Sequence, residues 1–256
     1  MLRAIGLLHR EPYLGKEFLR VWRCAHGSCA QRPRLAKRRA GCSNLVMSQT
    51  TTEHVENRLS ARGLQRVPSP KLALFQRRSF LAPELCETLI ELIDANRRPS
   101  TLADHNGDAA FRTSETCDLP PDADPVVETR RLLTELNDLP ETHAEPVQGQ
   151  RYAVGQEFKA HTDYFEPNGA DWDRYCSVAG QRTWTFMIYL NEPEAGGATR
   201  FKTVGKSFQP EMGKLVCWNN MRPDGRPNPN TLHHGMKVRH GTKYVITQWY
   251  REKPWG

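Results

Sequence analysis

From Glu145 to Tyr250 the apolar residues recur with the period of strands, and the helical spacing seen upstream stops. Seven strand-length runs alternate with turns, over residues 147–154, 158–165, 183–190, 198–201, 214–218, 232–238 and 243–250. So many short strands in succession argue for a β-sandwich or barrel. Two helices precede them. Pro83 suits a first helical turn, and Leu85, Leu89, Leu92 and Ile93 form one apolar stripe over residues 84–96. A second helix is predicted from Pro125, after Asp124, to about Asn137. Val126, Arg130, Leu133 and Leu136 follow its spacing, and Leu132 widens the apolar face. Residues 102–121 between them are polar and turn-rich, a loop or edge element. The fold class is therefore α+β, with the helices packed on one face of a β part that carries the chemistry.

Charge excludes one class of partner. The chain of 256 residues has a net charge of +7, but residues 1–46 hold ten Lys/Arg and two Asp/Glu. Residues 47–256 hold 26 basic and 27 acidic residues, so the body is neutral. A nucleic-acid binder needs its basic footprint on the folded body, so no nucleic-acid partner is expected. No membrane association is expected either. The longest apolar run, Phe186 to Leu190, falls far short of the roughly 18 residues that span a bilayer. Residues 1–46 read as a basic extension outside the fold. Ile5 to Leu8 is too short an apolar stretch for a secretory signal, and the arginine content suits an organellar transit peptide better. The preferred reading is that translation starts at Met47 and the preceding stretch is an upstream extension. The seven cysteines include no CxxC pair, and Cys24 and Cys29 around His26 lack common zinc spacing. A reducing compartment and a cytoplasmic location are expected.

Three residues carry the chemistry. His161 and Asp163 lie two apart in a strand-like run, so their side chains share a face while Thr162 points away. A third ligand must come from another strand, and His233 sits in one. Two imidazoles and one carboxylate on one side of a metal leave open positions opposite, as in non-haem Fe(II) oxygenases. A structural zinc site would be closed by four protein ligands. His234 and His240 compete with His233; His234 points to the opposite strand face, and His240 lies in a turn. Lys243 heads a strand whose inward face continues through Val245, Thr247 and Trp249. A lysine there is costly to bury unless it meets an anion. Spacing alone leaves a solvated turn lysine equally open.

These residues resemble the prolyl 4-hydroxylase-like branch of the Fe(II)/2-oxoglutarate dioxygenases over about residues 75–252. The resemblance is carried by Arg112, Thr113 and Ser114; by residues 151–156 running into His161 and Asp163; by Gly180, Gln181 and Arg182; and by residues 185–191. Glu194 to Thr199, with its Gly196–Gly197 turn, and Leu232 to Gly235 followed by Lys243 to Trp249 complete it. The resemblance implies a double-stranded β-helix, or jelly roll. The organisation expected is an extension (1–46), a lead-in (47–74), a helical part (75–145) and the β-helix core (146–256). His161, Asp163 and His233 are implied as Fe(II) ligands, and Gly235 favours His233 over its neighbours. Lys243 is implied to hold the distal carboxylate of 2-oxoglutarate, with Tyr152 and Thr185 as polar partners. Arg112, Arg182 and Trp249 are implied to line the substrate cleft.

The reaction implied uses Fe(II), 2-oxoglutarate, O2 and ascorbate as reductant. It yields succinate, CO2 and a hydroxylated C–H, with a prolyl residue of a peptide or protein as the expected substrate. The sequence departs from the family at three places: Phe158 and Thr162 stand where tyrosines are usual, and Lys237 where proline is. The lost hydroxyl at residue 158 keeps a free amino acid or other small molecule open as substrate, and a silent metal-binding or interaction module is the reading outside catalysis.

Overall fold

The structure, a computed structural model, describes residues 52–100, 111–167, 169 and 172–255. The basic extension, Met47, the Cys24–His26–Cys29 group and residues 101–110 of the expected loop lie outside the described residues. Helix α1 covers residues 52–61. In chain order there follow β1 (Gln65–Arg66), β2 (Leu74–Arg77), helix α2 (Pro83–Asn96), β3 (Arg98–Pro99), β4 (Glu115–Asp118) and helix α3 (Asp124–Asn137). Then come β5 (Gln148–Tyr152), β6 (Phe158–His161), helix α4 (Trp172–Cys176), β7 (Arg182–Tyr189), β8 (Ala195–Gly196) and β9 (Thr199–Phe201). The chain ends with β10 (Lys206–Phe208), β11 (Leu215–Asn219), β12 (His233–Gly235), β13 (Val238–His240) and β14 (Lys243–Arg251).

The strands form an eight-stranded sheet ordered β1-β2-β11-β7-β14-β5-β4-β3 and a four-stranded sheet ordered β10-β9-β12-β6, with β13 and β8 paired separately. All pairs are antiparallel, as expected for a jelly roll. Period-2 alternation divides the interior into two cores. On β7, Trp184, Phe186 and Ile188 join the core under the helices, whereas Met187 and Tyr189 join the core between the sheets. On β11 the same division separates Leu215 and Cys217 from Val216 and Trp218. Strand β14 is central and buried along its whole length. Its Tyr244, Ile246 and Tyr250 face the helices, which leaves Lys243, Val245, Thr247 and Trp249 for the space between the sheets.

Both expected helices form within a residue of their predicted bounds. Helix α2 starts at Pro83, whose missing N–H costs nothing in a first turn, and Glu84 complements the helix dipole. Cys86, Leu89 and Ile93 are its buried stripe, with Leu85 and Leu92 partly covered. The helix approaches β5 so closely that a Cβ at Gly149 would lie 2.4 Å from Ile93 Cγ1. In α3, Val126, Leu133 and Leu136 are buried, and Arg130 instead reaches Glu141 at 2.7 Å. Asp138 ends that helix in the left-handed region (φ 61°), its N–H donating to Thr134 O.

Among the differences from the sequence reading, three bear on the site and the core. The 158–165 run is a strand only to His161, so Asp163 lies in a bend beyond it. The 232–238 run divides into β12 and β13, which belong to different sheets. The lead-in contributes Val55, Leu59 and Leu64 to the helix-side core, and Leu74, its last residue, opens β2.

Candidate active site

The three predicted ligands converge between the sheets. His233 on β12 pairs directly across from His161 on β6, which brings the two rings to 4.2 Å between centroids. Asp163 reaches the same point from the bend after β6. One ligand atom from each of the three lies within 4.8 Å of the others. Asp163 Oδ1 stands 3.7 Å from His161 Nε2 and 3.9 Å from His233 Nε2.

Hydrogen bonds behind the three fix what they present. His161 Nδ1 is 2.7 Å from Lys159 O, and His233 Nδ1 is 2.9 Å from Thr231 O. A carbonyl only accepts, so Nδ1 carries the proton in each ring and the Nε2 lone pair is left for a metal. Burial, and then the neighbouring His233, keep the His161 imidazole well below its ordinary pKa, hence neutral. Burial alone would raise the Asp163 carboxyl. His233, His161, Arg182 and the Thr185 hydroxyl outweigh it and hold the group below the usual carboxylate range. Its outer oxygen, Oδ2, accepts from Thr185 Oγ1 at 2.7 Å, and that hydroxyl accepts from Asn220 Nδ2 at 2.9 Å. Thr185, which the resemblance set beside 2-oxoglutarate, braces Asp163 in this structure.

Lys243 opens onto the same chamber, with Tyr152, Met187, Thr199 and Val245 around it. Its side chain is buried, and it has no hydrogen bond or ion pair among the described residues. The ammonium faces the rings of Tyr152 at 4.9 Å and Tyr189 at 5.4 Å. Desolvation lowers its pKa to about 7. The indole N–H groups of Trp218 and Trp249, residues that line the same chamber, are buried without a partner. An unpaired buried ammonium fits an anion. The donor set fits Fe(II) equally: two imidazoles and a carboxylate, with no fourth protein ligand in the cluster among the described residues.

A wider cleft of about 430 Å³ leads outward from the metal-ligand cluster. Arg112, Arg182 and Trp249 all line it. Arg182 is spent on a partner that the sequence did not reveal. Its Nε and Nη2 donate to the two oxygens of buried Glu145 at 2.7 Å each, and its guanidinium lies 4.0 Å from the Trp249 ring centroid. Arg251 Nη1 donates to the same carboxylate at 2.9 Å. Burial works to raise the Glu145 carboxyl, and the two arginines hold it down. Phe158 stacks on His161 with centroids 3.4 Å apart, in the place where a tyrosine is usual. His234 turns away and meets Glu157 at 3.0 Å, as its strand phase predicted. Gly196, expected in a turn, is instead the last residue of β8; it holds φ 84°, and a Cβ there would collide with Lys237 O.

Comparison with known proteins agrees with this geometry. Residues 147–251 match the profile of the 2OG-Fe(II) oxygenase superfamily. Probable prolyl 4-hydroxylase 3 of Arabidopsis thaliana is 31% identical over 228 residues, covering 78% of this chain and 77% of that protein. The chain belongs to the 2OG-Fe(II) oxygenase superfamily, in its prolyl 4-hydroxylase-like branch. Probable prolyl 4-hydroxylase 10 of the same plant is 30% identical over 198 residues, 68% of this chain and 66% of the relative. Among solved structures, the viral collagen prolyl hydroxylase of Paramecium Bursaria Chlorella virus-1, in complex with 2OG, superposes with a TM-score of 0.54. It is 28% identical and covers 70% of this chain and 95% of that one. The chain is accordingly a dioxygenase that uses Fe(II), 2-oxoglutarate and O2, and ascorbate is typical of its family. No helix among the described residues is long and apolar enough to cross a membrane.

Proposed function

We propose that this oxygenase hydroxylates a prolyl residue of a peptide or protein, releasing succinate and CO2. The observation that carries the reading is one chamber holding both a three-donor metal cluster and an unpaired buried ammonium. His161, Asp163 and His233 would hold Fe(II), which when bound supplies the oxidising chemistry at positions the protein leaves open. Lys243 would anchor the distal carboxylate of 2-oxoglutarate, with Tyr152 and Thr199 beside it in the chamber wall. Trp249 and Phe158 bound the way from the cleft to the metal cluster and limit water there. Arg182 acts as a brace between Glu145 and Trp249. Proline as the target rests on the named relatives; Phe158, which offers no hydroxyl at the site, supports a free amino acid as the second reading.

The test is conversion of 2-oxoglutarate to succinate with Fe(II) and ascorbate, with and without proline-containing peptides, set against His161→Ala. Peptide-stimulated turnover with a gain of one oxygen on proline, absent in the variant, is the expected result. Turnover indifferent to peptide would remove proline as the target.

Lys243 adds a pH signature. With its ammonium lowered to about 7, the residue is charged below that pH and loses its proton above it. Affinity for 2-oxoglutarate is expected to be flat below neutrality and to weaken by up to about tenfold per pH unit above it. The decline ends at the higher pKa that the bound carboxylate imposes on the lysine. Lys243→Arg, always charged, should flatten the profile, whatever it costs in fit. Calorimetric titration of 2-oxoglutarate across pH 6–9 in both proteins, each loaded with Mn(II), checks this.

A further inference from the structure

Among the described residues, two cations face this cavity without a counter-ion. Lys243 is one, and 2-oxoglutarate accounts for it. Arg112 is the other, and it lines both the inner chamber and the outer cleft. Its Nε donates to Ser114 Oγ at 3.1 Å, and its Nη2 donates to Thr116 Oγ1 and Gln148 Oε1 at 3.0 Å each. All three acceptors are neutral. Nη1 has no partner among the described residues, so both its N–H groups remain for a ligand. The guanidinium lies 4.8 Å from the centroid of Phe158, the ring stacked on His161, so it stands one ring away from the metal cluster.

Among the described residues, the acidic groups around it other than Glu166 are already engaged. Glu145 serves Arg182 and Arg251. Glu115 pairs with Arg151 and Arg97, and Asp118 with Arg98. Glu157 pairs with His234 and Lys237. Asp163 is committed to the imidazoles and Thr185. Glu166 sits exposed on the rim. With Fe(II), Asp163, Lys243 and dianionic 2-oxoglutarate summing to neutral, the described residues of the cleft keep one positive charge from Arg112 and one from the Glu145–Arg182–Arg251 group, against the single exposed Glu166 on the rim. Burial pushes the Arg112 pKa down.

We propose that Arg112 is the anion receptor of the substrate cleft, and that the substrate carries a carboxylate beside the residue to be hydroxylated. This rests on the prolyl reading above and adds a charge requirement to it. The carboxylate belongs either to an acidic side chain flanking the proline or to a free carboxyl terminus. Either would complete the guanidinium with a charge-assisted hydrogen bond that an amide makes only weakly.

The experiment uses the full chain and matched peptides: proline flanked by Asp or Glu against Asn or Gln, and free against amidated carboxyl termini. L-Proline and L-prolinamide form a third pair. Each is measured as kcat/KM with Fe(II), and as anaerobic calorimetric affinity with Mn(II) and saturating 2-oxoglutarate. The acidic member of at least one pair should be favoured by about tenfold or more in affinity. The favoured pair identifies the source of the carboxylate. That ratio should fall to about one in Arg112→Gln and survive in part in Arg112→Lys, while the 2-oxoglutarate affinity stays within a few-fold.

Equal affinity for both members of every pair in the wild-type protein overturns the proposal, whether or not the variants fold. A ratio that survives in Arg112→Gln overturns it too, as does loss of 2-oxoglutarate affinity in that variant. Arg112-dependent acid binding without hydroxylation of any prolyl peptide would sustain the receptor and remove the prolyl reading. Hydroxylation without any charge preference would do the reverse.

Discussion

Asp163→Ala is expected to abolish turnover and to weaken metal binding by more than the roughly 100-fold that loss of an outer-shell partner costs. Asp163 is the only anionic donor among the three ligands. Its Oδ1 stands 3.7 and 3.9 Å from the two imidazole Nε2 atoms. Two neutral imidazoles alone would present a weaker, uncharged site to a hard dication. The neighbouring hydroxyl provides a graded control. Thr185→Val removes the donor to Asp163 Oδ2 and leaves all three ligands in place. It should weaken the metal by about 10–100-fold, the usual effect of losing such a partner. Competition against a metallochromic dye reads both affinities without a functioning enzyme, and succinate release reads turnover. Full turnover in Asp163→Ala would sink the ligand assignment. Thr185→Val with normal metal affinity but impaired 2-oxoglutarate binding would return Thr185 to the role its sequence position suggested.

That contrast shows where the sequence was legible. Strand alternation gave Lys243, Val245, Thr247 and Trp249 one face, and β14 pairs without a register shift over those residues, so the phase held. Alternation also put His234 opposite His233 correctly. For Asp163 the same rule reached the right neighbour by a wrong path, because the strand ends at His161 and a bend carries the carboxylate across. Thr185 lies on the inward face of β7, as its phase predicts, but phase does not say which inward group it meets. Asp163 is 22 residues earlier in the chain and Asn220 is 35 later. Glu145 had no local signal at all. It stands where the helical pattern ends, and its partners are 37 and 106 residues away. Pairings of that kind are decided by tertiary packing. The helices were legible because Pro83, the Asp124–Pro125 step and the apolar stripes are local.

Glu145→Ala should destabilise the protein by about 3–5 kcal/mol, the loss typical when one partner of a buried ion pair is removed. The carboxylate is 7% exposed and holds two arginines, one fully buried. Without it, Arg182 keeps a 3.4 Å contact from Nη1 to Asp163 O and its aromatic neighbours Trp249 and Phe165. Arg251 keeps the carbonyls of Tyr175 and Gly180. Neither set includes an opposite charge. The penalty is therefore mainly that of two desolvated cations, not of lost apolar contact. Glu145→Gln retains acceptor capacity and should cost less.

Acid sharpens the test. The folded-state pKa of Glu145 lies below its ordinary value, so its stabilisation is complete above about pH 4.3. It is lost as the pH falls through the lower, folded value. Denaturant melts at pH 7 and at progressively lower pH should show the wild-type advantage over Glu145→Gln shrinking in that acid range. An advantage unchanged down to pH 2 would mean that the carboxylate's charge is not what holds the two arginines. Because Arg182 borders both Asp163 and Trp249, Glu145→Gln should also raise KM for a peptide substrate more than it lowers kcat. A loss confined to stability would make the group a brace of the fold alone.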